Sequence, residues 1–189
     1  MGPVMRQAAA SEEPQIDDEL LVIRCQLGER RAFDELVVRW AAPVAGYARC
    51  VSPDGDAAAE LTQDIWLRVL RGIDRLHEPG RFRSWLFGIA HRAFIDTLRR
   101  RYRALPPPGE AADPLAEDET PEDRHDRESI ERGLTRLPPV EREILTLFYL
   151  QELTIEETAD ALSIPPGTVK SRLHRARRLL RLALEGDLT

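Results

Sequence analysis

The chain has 189 residues, with 27 basic and 33 acidic side chains, and its formal net charge is −6. Taken alone, this acidic balance argues against a nucleic-acid-binding protein. The length suits one ordinary domain or two small ones, and a hydrophobic content of 42% is sufficient for a core. Charged residues interrupt every long apolar stretch, which excludes a helix that spans a membrane.

Residues 1–16 are predicted to be a flexible N-terminus. They lack the apolar core that a secretory signal peptide needs, so we expect a cytoplasmic protein. The two cysteines, Cys25 and Cys50, have neither Cys-x-x-Cys spacing nor a histidine at metal-ligand spacing. We expect small buried thiols rather than a zinc site or a disulfide, and we predict no metal and no cofactor.

Residues 17–103 are predicted to form a helical bundle. The acidic run Asp17–Glu19 favours a helix start, Gly28 favours its end, and Ser84 is positioned to cap a fourth helix. Apolar residues recur between these points at helical spacing. The inward-facing residues predicted from that spacing are Phe33, Leu36, Val37, Trp40, Val44, Tyr47, Ala48, Val51, Leu61, Ile65, Val69, Ile73, Trp85, Leu86, Ile89, Ala90 and Ala93.

The net charge is concentrated in the middle of the chain. Residues 1–101 contain 15 basic and 15 acidic side chains and residues 130–189 contain 9 of each, whereas residues 102–129 contain 3 basic and 9 acidic. This middle segment includes the run Pro106–Gly109 and few large apolar groups, so it cannot bury enough surface to offset the entropy of ordering. We predict a flexible, acidic, proline-rich linker over residues 104–128.

Residues 129–185 carry a more specific pattern. Pro138 and Pro139 open a helix, and Thr154 and Glu157 have the spacing of a capping box at the start of a short one. A turn at Ser163–Pro166 then leads into a longer basic helix. This succession predicts a helix-turn-helix over residues 155–174. Because no stretch of the chain alternates with period two, the predicted fold class is all-α, with two small helical domains joined by a flexible linker.

The last helix is predicted to have one apolar face and one cationic face. Six basic residues and no acidic one lie between Lys170 and Arg181. An ordinary solvated face usually alternates Glu with Arg, so we favour a face that contacts DNA. Val169, Leu173, Ala176 and Leu180 are predicted to pack inward. The candidates for base contacts are Lys170, Ser171, His174 and Arg175, and those for phosphate contacts are Arg178 and Arg181.

These patterns resemble the extracytoplasmic-function (ECF) sigma factors, the small two-domain initiation subunits of bacterial RNA polymerase. LPPVEREILTL from Leu137, LTIEETA from Leu153 and GTVKSRLHRAR from Gly167 are similar to the fourth conserved region of that family. GERRAFDEL from Gly28, ELTQDIWLRV from Glu60, FRSWLFGIA from Phe82 and DTLRRR from Asp96 are similar to its second region. The resemblance covers about residues 18–103 and 129–184.

The resemblance implies that residues 17–103 bind core polymerase and recognise and melt the promoter −10 element, and that residues 129–185 recognise the −35 element. The partners it implies are the clamp helices of the largest polymerase subunit, the β flap, promoter DNA and an anti-sigma factor. The implied core-binding residues are Glu60, Gln63, Asp64, Trp66, Leu67 and Arg68. The implied −10 residues are His77, Arg81, Arg83, Arg92, Arg99, Arg100 and Arg101. Thr168 and Arg172 complete the −35 set.

Two features leave alternatives open. The family usually has Arg-Asn after its Ile-Ala pair, but this chain has His91-Arg92, so the −10 preference is open and His91 is compatible with a helix histidine that is simply hydrogen-bonded. The linker is compatible with a soluble tether and also with a segment that occupies cationic polymerase channels.

Two other classes of function compete with this interpretation. A stand-alone helix-turn-helix regulator would share the C-terminal motif, but the first lobe shows no receiver or ligand-domain pattern. An enzyme is disfavoured because no Walker loop, Gly-x-Ser-x-Gly or His-Glu-x-x-His is present and the four histidines are scattered.

Overall fold

The computed structural model describes residues 12–103, 134 and 136–185, and the predicted linker lies outside them. The helices of the N-terminal lobe are α1 (Glu12–Gln26), α2 (Arg30–Val51), α3 (Gly55–Gly72) and α4 (Phe82–Arg103), with 3-10 turns at Ile73–Arg75 and Pro79–Arg81. The C-terminal lobe contains α5 (Pro139–Leu145), a π-helical turn (Thr146–Leu150), α6 (Ile155–Leu162) and α7 (Pro166–Glu185). The described ranges contain no β-strand, and the all-α prediction is confirmed.

The first helix differs from its prediction at one end. It begins at Glu12 rather than at Asp17, so residues 12–16 are helical and are not part of a flexible N-terminus. It ends as predicted, because Gly28 adopts a φ of +86°, which glycine reaches without the steric cost that a side chain adds. The side-chain amide of Gln26 then donates to the carbonyl oxygens of Ile73 and Leu76 at 3.0 and 2.8 Å, which fixes α1 to the turn after α3.

Ser84 does not cap α4. The helix begins at Phe82, so Ser84 lies inside the first turn, where its hydroxyl donates to the Arg81 carbonyl oxygen at 3.2 Å. A cap accepts a hydrogen bond from a backbone N–H, and here the direction is reversed.

The predicted apolar faces form the core of the N-terminal lobe. Most of the predicted inward-facing residues are buried, while Phe33, Val37, Trp40 and Trp85 are half-buried. The Trp40 ring packs edge-on against Phe82 and Phe87, with centroids 5.9 and 6.1 Å apart. Such pairs stabilise by about 0.5–1.5 kcal/mol beyond the area they bury.

The cysteines take no part in a disulfide in the structure. Cys25 is buried as predicted, and burial raises the pKa of its thiol to about 11. The thiol is therefore protonated at neutral pH, which makes it a poor nucleophile. Cys50 is half-buried. No helix in the described ranges is long and apolar enough to cross a membrane.

The predicted capping box is present at the start of α6. The Thr154 hydroxyl accepts from the Glu157 backbone N–H at 3.1 Å, and the Glu157 carboxylate accepts from the Thr154 N–H at 2.8 Å. After α6, Ser163 adopts a left-handed φ of 54°, which turns the chain toward α7. The helix-turn-helix therefore forms where the sequence predicts it.

The two lobes pack against one another. Helix α4 lies along α6, and α2 lies against α5 and the π-helical turn. A Cβ added at Gly88 of α4 would lie 3.7 Å from the Ala161 Cα of α6, so the two backbones approach closely at this point. Buried apolar residues of both lobes consequently belong to one continuous core.

The capping box predicts that two substitutions at Thr154 differ in their effect on stability. We expect Thr154→Ala to lower the free energy of unfolding by about 1 kcal/mol, because the first turn of α6 loses a hydrogen-bond acceptor. Thr154→Ser keeps the acceptor and should change stability by no more than a few tenths of a kcal/mol. Urea unfolding followed by circular dichroism measures both, and an equal loss in the two variants would contradict this role of the hydroxyl.

Candidate functional site

Helix α7 presents the cationic face predicted from the sequence. Val169, Leu173 and Ala176 are buried, and α7 packs against α5 and α6. Lys170 and Arg178 are exposed on the outside. Of the other predicted residues of this face, Ser171 and Arg181 are exposed. The remaining four are half-buried: Thr168, Arg172, His174 and Arg175.

Two predicted base-reading residues also have partners inside the lobe. Arg175 Nε lies 3.2 Å from Glu141 Oε1, and the Glu141 side chain is only 12% exposed. The Ser171 hydroxyl donates to the Thr168 carbonyl oxygen at 3.0 Å. A further cation, Arg177, lies over the exposed Tyr149 ring at 5.9 Å and was not among the predicted residues. Arg175 therefore has a structural contact in addition to its predicted role.

Five of the six predicted core-binding residues line one open groove. Asp96, Arg99 and Arg100 of α4 form its other side. Trp66 is not among the lining residues, and its ring packs edge-on against Phe33, with centroids 6.4 Å apart. The residues that α3 contributes are Glu60, Gln63, Asp64, Leu67 and Arg68.

An ion-pair network crosses this groove. Arg68 bonds Asp64 of its own helix at 3.0 Å and Asp96 of α4 at 2.9 Å. Burial alone would lower the pKa of Arg68, but the hydrogen bonds to the two aspartates outweigh it and raise the pKa. Arg68 thus fixes the spacing of the two helices, while Leu67, 42% exposed, offers the groove an apolar contact.

Three of the predicted −10 residues, His77, Arg81 and Arg83, lie in the segment 76–84 between α3 and the start of α4, and this segment, the −10 loop, faces the C-terminal lobe. Arg81 Nη1 lies 3.4 Å from Asp160 Oδ2 of α6, and Arg81 Nε lies 2.8 Å from Glu78 in the same loop. Arg83 donates to the Gln151 carbonyl oxygen and lies 4.0 Å from Glu157. The other predicted −10 residues, His77, Arg92, Arg99, Arg100 and Arg101, are exposed.

A buried carboxylate lies behind these contacts. Glu143 of α5 is 1% exposed, and its Oε1 accepts from the Tyr47 hydroxyl at 2.5 Å and lies 2.9 Å from His91 Nδ1. Burial, with the charge of Glu143, raises the pKa of Tyr47, so the phenol stays protonated and donates. His91 is thus hydrogen-bonded, and its partner, Glu143, belongs to the other lobe.

The sequence did not predict the contacts between the lobes that involve Tyr47, Glu143, Gln151, Glu157 and Asp160. One feature of the sequence could have indicated the buried role of Glu143. Glu143 stands one turn before Leu147, on the apolar side of a helix, where a carboxylate needs a dedicated partner.

Comparison with known proteins decides the family. The Sigma-70, region 4 model matches residues 127–180, and the Sigma-70 region 2 model matches residues 36–104. The chain is 36% identical to the ECF RNA polymerase sigma factor SigE of Mycolicibacterium smegmatis, over 79% of this chain and 60% of that protein. It is 31% identical to the ECF RNA polymerase sigma-E factor of Escherichia coli, over 88% of this chain and 93% of that protein.

The chain belongs to the ECF sigma factors of the sigma-70 family. It is therefore an RNA polymerase sigma factor for transcription initiation, and the stand-alone regulator is not favoured. The chain is also 30% identical to the RNA polymerase sigma-H factor of Pseudomonas aeruginosa, over 90% of this chain and 95% of that protein.

Two solved structures share the fold of this sigma factor. CnrH in complex with the cytosolic domain of CnrY superposes with a TM-score of 0.65 at 22% identity, over 90% of this chain and 99% of that chain. The sigma factor RpoE in complex with the anti-sigma factor NepR from Bartonella quintana also gives 0.65, at 24% identity, over 81% and 96%.

The contact between Arg175 and Glu141 predicts a difference between two arginines of α7. Arg175→Ala leaves a largely buried carboxylate without this partner and should lower the free energy of unfolding by about 1 kcal/mol. Arg178→Ala removes an exposed side chain and should change it by less than about 0.5 kcal/mol. Urea unfolding of both variants tests this, and equal stabilities would show that the Glu141 contact contributes nothing.

Proposed function

We propose that this sigma factor directs core polymerase to its promoters through three surfaces: the α3/α4 groove for polymerase, α7 for the −35 element, and the 76–84 loop with the basic edge of α4 for the −10 element. The observation that carries the proposal is the exposed cationic side of α7 opposite its buried residues Val169, Leu173 and Ala176. Such a face, on the second helix of a helix-turn-helix, has the geometry to enter a major groove.

The groove between α3 and α4 is our candidate for the polymerase contact. Its α3 side combines acidic and amide groups with the exposed part of Leu67, and all its lining residues come from the N-terminal lobe. Arg99 and Arg100 on its α4 side also belong to the proposed −10 edge, so the two proposed surfaces adjoin there. A mixed apolar and charged surface on rigid helices suits docking to a helical partner such as the clamp helices of the largest subunit. The β flap is the proposed partner of the C-terminal lobe.

The −10 element is assigned to the loop and the edge of α4 together. Melting exposes bases whose unstacking costs a few kcal/mol, and a cationic surface recovers part of that cost through the backbone phosphates. Exposed Arg92, Arg99, Arg100 and Arg101 supply such a surface. RNA synthesis is left to the polymerase, so we assign the chain no catalytic step and place its action in the cytoplasm with the polymerase.

A further proposed partner is an anti-sigma factor. A protein of that class is named in the RpoE complex with NepR, whose sigma factor shares this fold. Copurification with the tagged chain tests for such a partner.

Run-off transcription with core polymerase on a promoter library, with permanganate footprinting of the opened bases, tests the proposed function. Transcripts and melting that need both core polymerase and this chain support it. Tight promoter binding by the chain alone, without melting when core polymerase is added, would overturn it.

The groove assignment predicts a selective loss of polymerase binding. Leu67→Asp places a charge in the apolar part of the groove and should weaken binding to core polymerase by about tenfold or more. Val38→Asp is the matched control, because Val38 of α2 is 78% exposed and does not line the groove. Fluorescence titration of labelled chain with core polymerase measures both, and equal affinities would contradict the assignment.

The assignment of α7 predicts two different effects on the −35 element. Lys170→Ala should flatten the preference among −35 sequences by about tenfold, because a base contact is lost. Arg178→Ala should weaken all sequences alike and reduce the slope of log affinity against log salt by about 1, because a phosphate contact is lost. Holoenzyme binding to the library at several salt concentrations separates them; uniform weakening by both would contradict base reading by Lys170.

A further inference from the structure

We propose that Gln26 of α1 is a positioning residue for recognition of the −10 element, because it fixes the peptide that carries His77 at the start of the −10 loop. His77 is exposed and is one of the residues proposed to contact the −10 element. This role of Gln26 rests on the proposed function, which assigns the loop to that element. It gives α1 an influence on base preference, although none of the proposed DNA contacts belongs to α1.

Gln26 uses both of its amide hydrogens on the turn that precedes the loop. Its Nε2 donates to the carbonyl oxygen of Ile73 at 3.0 Å and to that of Leu76 at 2.8 Å. A side-chain amide has two N–H donors, so these two contacts use both. The Ile73 carbonyl oxygen also accepts from the Leu76 backbone N–H at 3.2 Å. Gln26 therefore stabilises the turn from which the loop begins.

The Leu76 carbonyl is the more important acceptor, because it belongs to the peptide bond between Leu76 and His77. A peptide bond is planar, so a fixed carbonyl oxygen fixes the direction in which the His77 Cα leaves the turn. The Leu76 residue is buried, whereas His77 is exposed. The same planar group is thus hydrogen-bonded to α1 on one side and carries a candidate DNA contact on the other.

A second contact with α1 fixes the middle of the loop. Helix α1 packs against the 3-10 turn Pro79–Arg81. A Cβ added at Gly80 would lie 3.5 Å from Glu19 Oε2, so the loop backbone lies against this side chain. Glu19 and Gln26 are seven residues apart, about two helical turns, and therefore lie on the same side of α1. The loop consequently follows one face of one helix.

Helix α1 is itself fixed to the rest of the lobe. Arg39 Nη1 of α2 lies 2.9 Å from Asp18 Oδ1, and the Asp18 side chain is only 11% exposed. Leu21 and Val22 are buried in the core, and so is Phe82 at the other end of the loop. A side chain that reads bases needs such support, since its contacts depend on placement to within about 0.5 Å.

Gln26 can be replaced without removing that apolar support. Its side chain is half-buried at the last residue of α1, and the contacts it makes with the turn are hydrogen bonds. It also lies outside residues 36–104, which the Sigma-70 region 2 model matches. Two sigma factors with the same loop but different residues at this position should therefore differ in −10 preference.

The test measures base preference with core polymerase and the full-length chain. Holoenzyme binding is compared across promoters with a randomised −10 element and a fixed −35 element, and then across the reverse library. Gln26→Leu removes both donors at similar side-chain size and should flatten the −10 preference by about fivefold or more, as the loss of a base contact does. Affinity for core polymerase and the −35 preference should stay at their wild-type values.

Arg24→Leu is the matched control at the same end of α1. Arg24 pairs with Glu29 and Glu35 at 2.6 and 3.4 Å, and neither belongs to the loop. This variant should keep the wild-type −10 preference, because it loosens the end of the helix without touching the Leu76 carbonyl.

His77→Ala tests the route by which Gln26 acts. The double variant Gln26→Leu/His77→Ala should lose no more −10 preference than His77→Ala alone, because both changes remove the same base contact.

Failure of the positioning role and failure of the proposed function give different results. If His77→Ala flattens the −10 preference and Gln26→Leu does not, or weakens all promoters alike, the positioning role is overturned and the −10 assignment of the loop stands. The role is also overturned if Arg24→Leu reproduces the effect, or if the double variant loses more preference than His77→Ala alone. If neither His77→Ala nor Gln26→Leu changes the preference, the −10 assignment of the loop is overturned as well.

Discussion

One carboxylate constrains how the two lobes of this sigma factor can meet. Glu143 is buried at their junction, and burial of that charge is tolerable only where donors stand ready to replace water. The Tyr47 hydroxyl of α2 donates to it, and His91 Nδ1 of α4 lies 2.9 Å from the same oxygen. In the same arrangement α6 lies along α4, with Arg81 3.4 Å from Asp160 and Arg83 4.0 Å from Glu157. The loop that we propose for the −10 element therefore lies beside the same junction as the buried carboxylate.

The candidate surfaces are affected unequally by this closed arrangement. The groove of Glu60, Gln63 and Asp64 is lined by one lobe alone, and Lys170 and Arg178 of α7 face outward. Of these candidate surfaces, the 76–84 loop is the one that contacts the opposite lobe in the part of the chain that the structure describes. The groove that we propose for polymerase therefore stays open while the loop that we propose for the −10 element contacts the other lobe.

The charge distribution also differs from one surface of the chain to another. The excess of acidic side chains lies entirely in residues 102–129, and each flanking region is balanced. Six of the nine basic residues in residues 130–189 lie on α7, while acidic residues of α6 face the arginines of the N-terminal lobe. The overall charge of −6 therefore says little about DNA binding, because binding depends on the local field at each surface.

The sequence by itself determined the helices, their buried faces, the capping box at Thr154 and the cationic side of α7, because each depends on neighbours within about one or two helical turns. It also carried the family motifs. It did not determine the first residue of α1 or of α4, and the error at α4 made Ser84 look like a cap. It also did not determine the contacts of Arg81 with Asp160, Arg83 with Glu157 and Arg175 with Glu141, because those partners lie far away in the sequence. Only the tertiary structure joined Tyr47, His91 and Glu143, which are 96 and 52 residues apart in the pairs that bond. No local periodicity encodes such a meeting, since it arises when two separately formed helical faces exclude water from the same carboxylate.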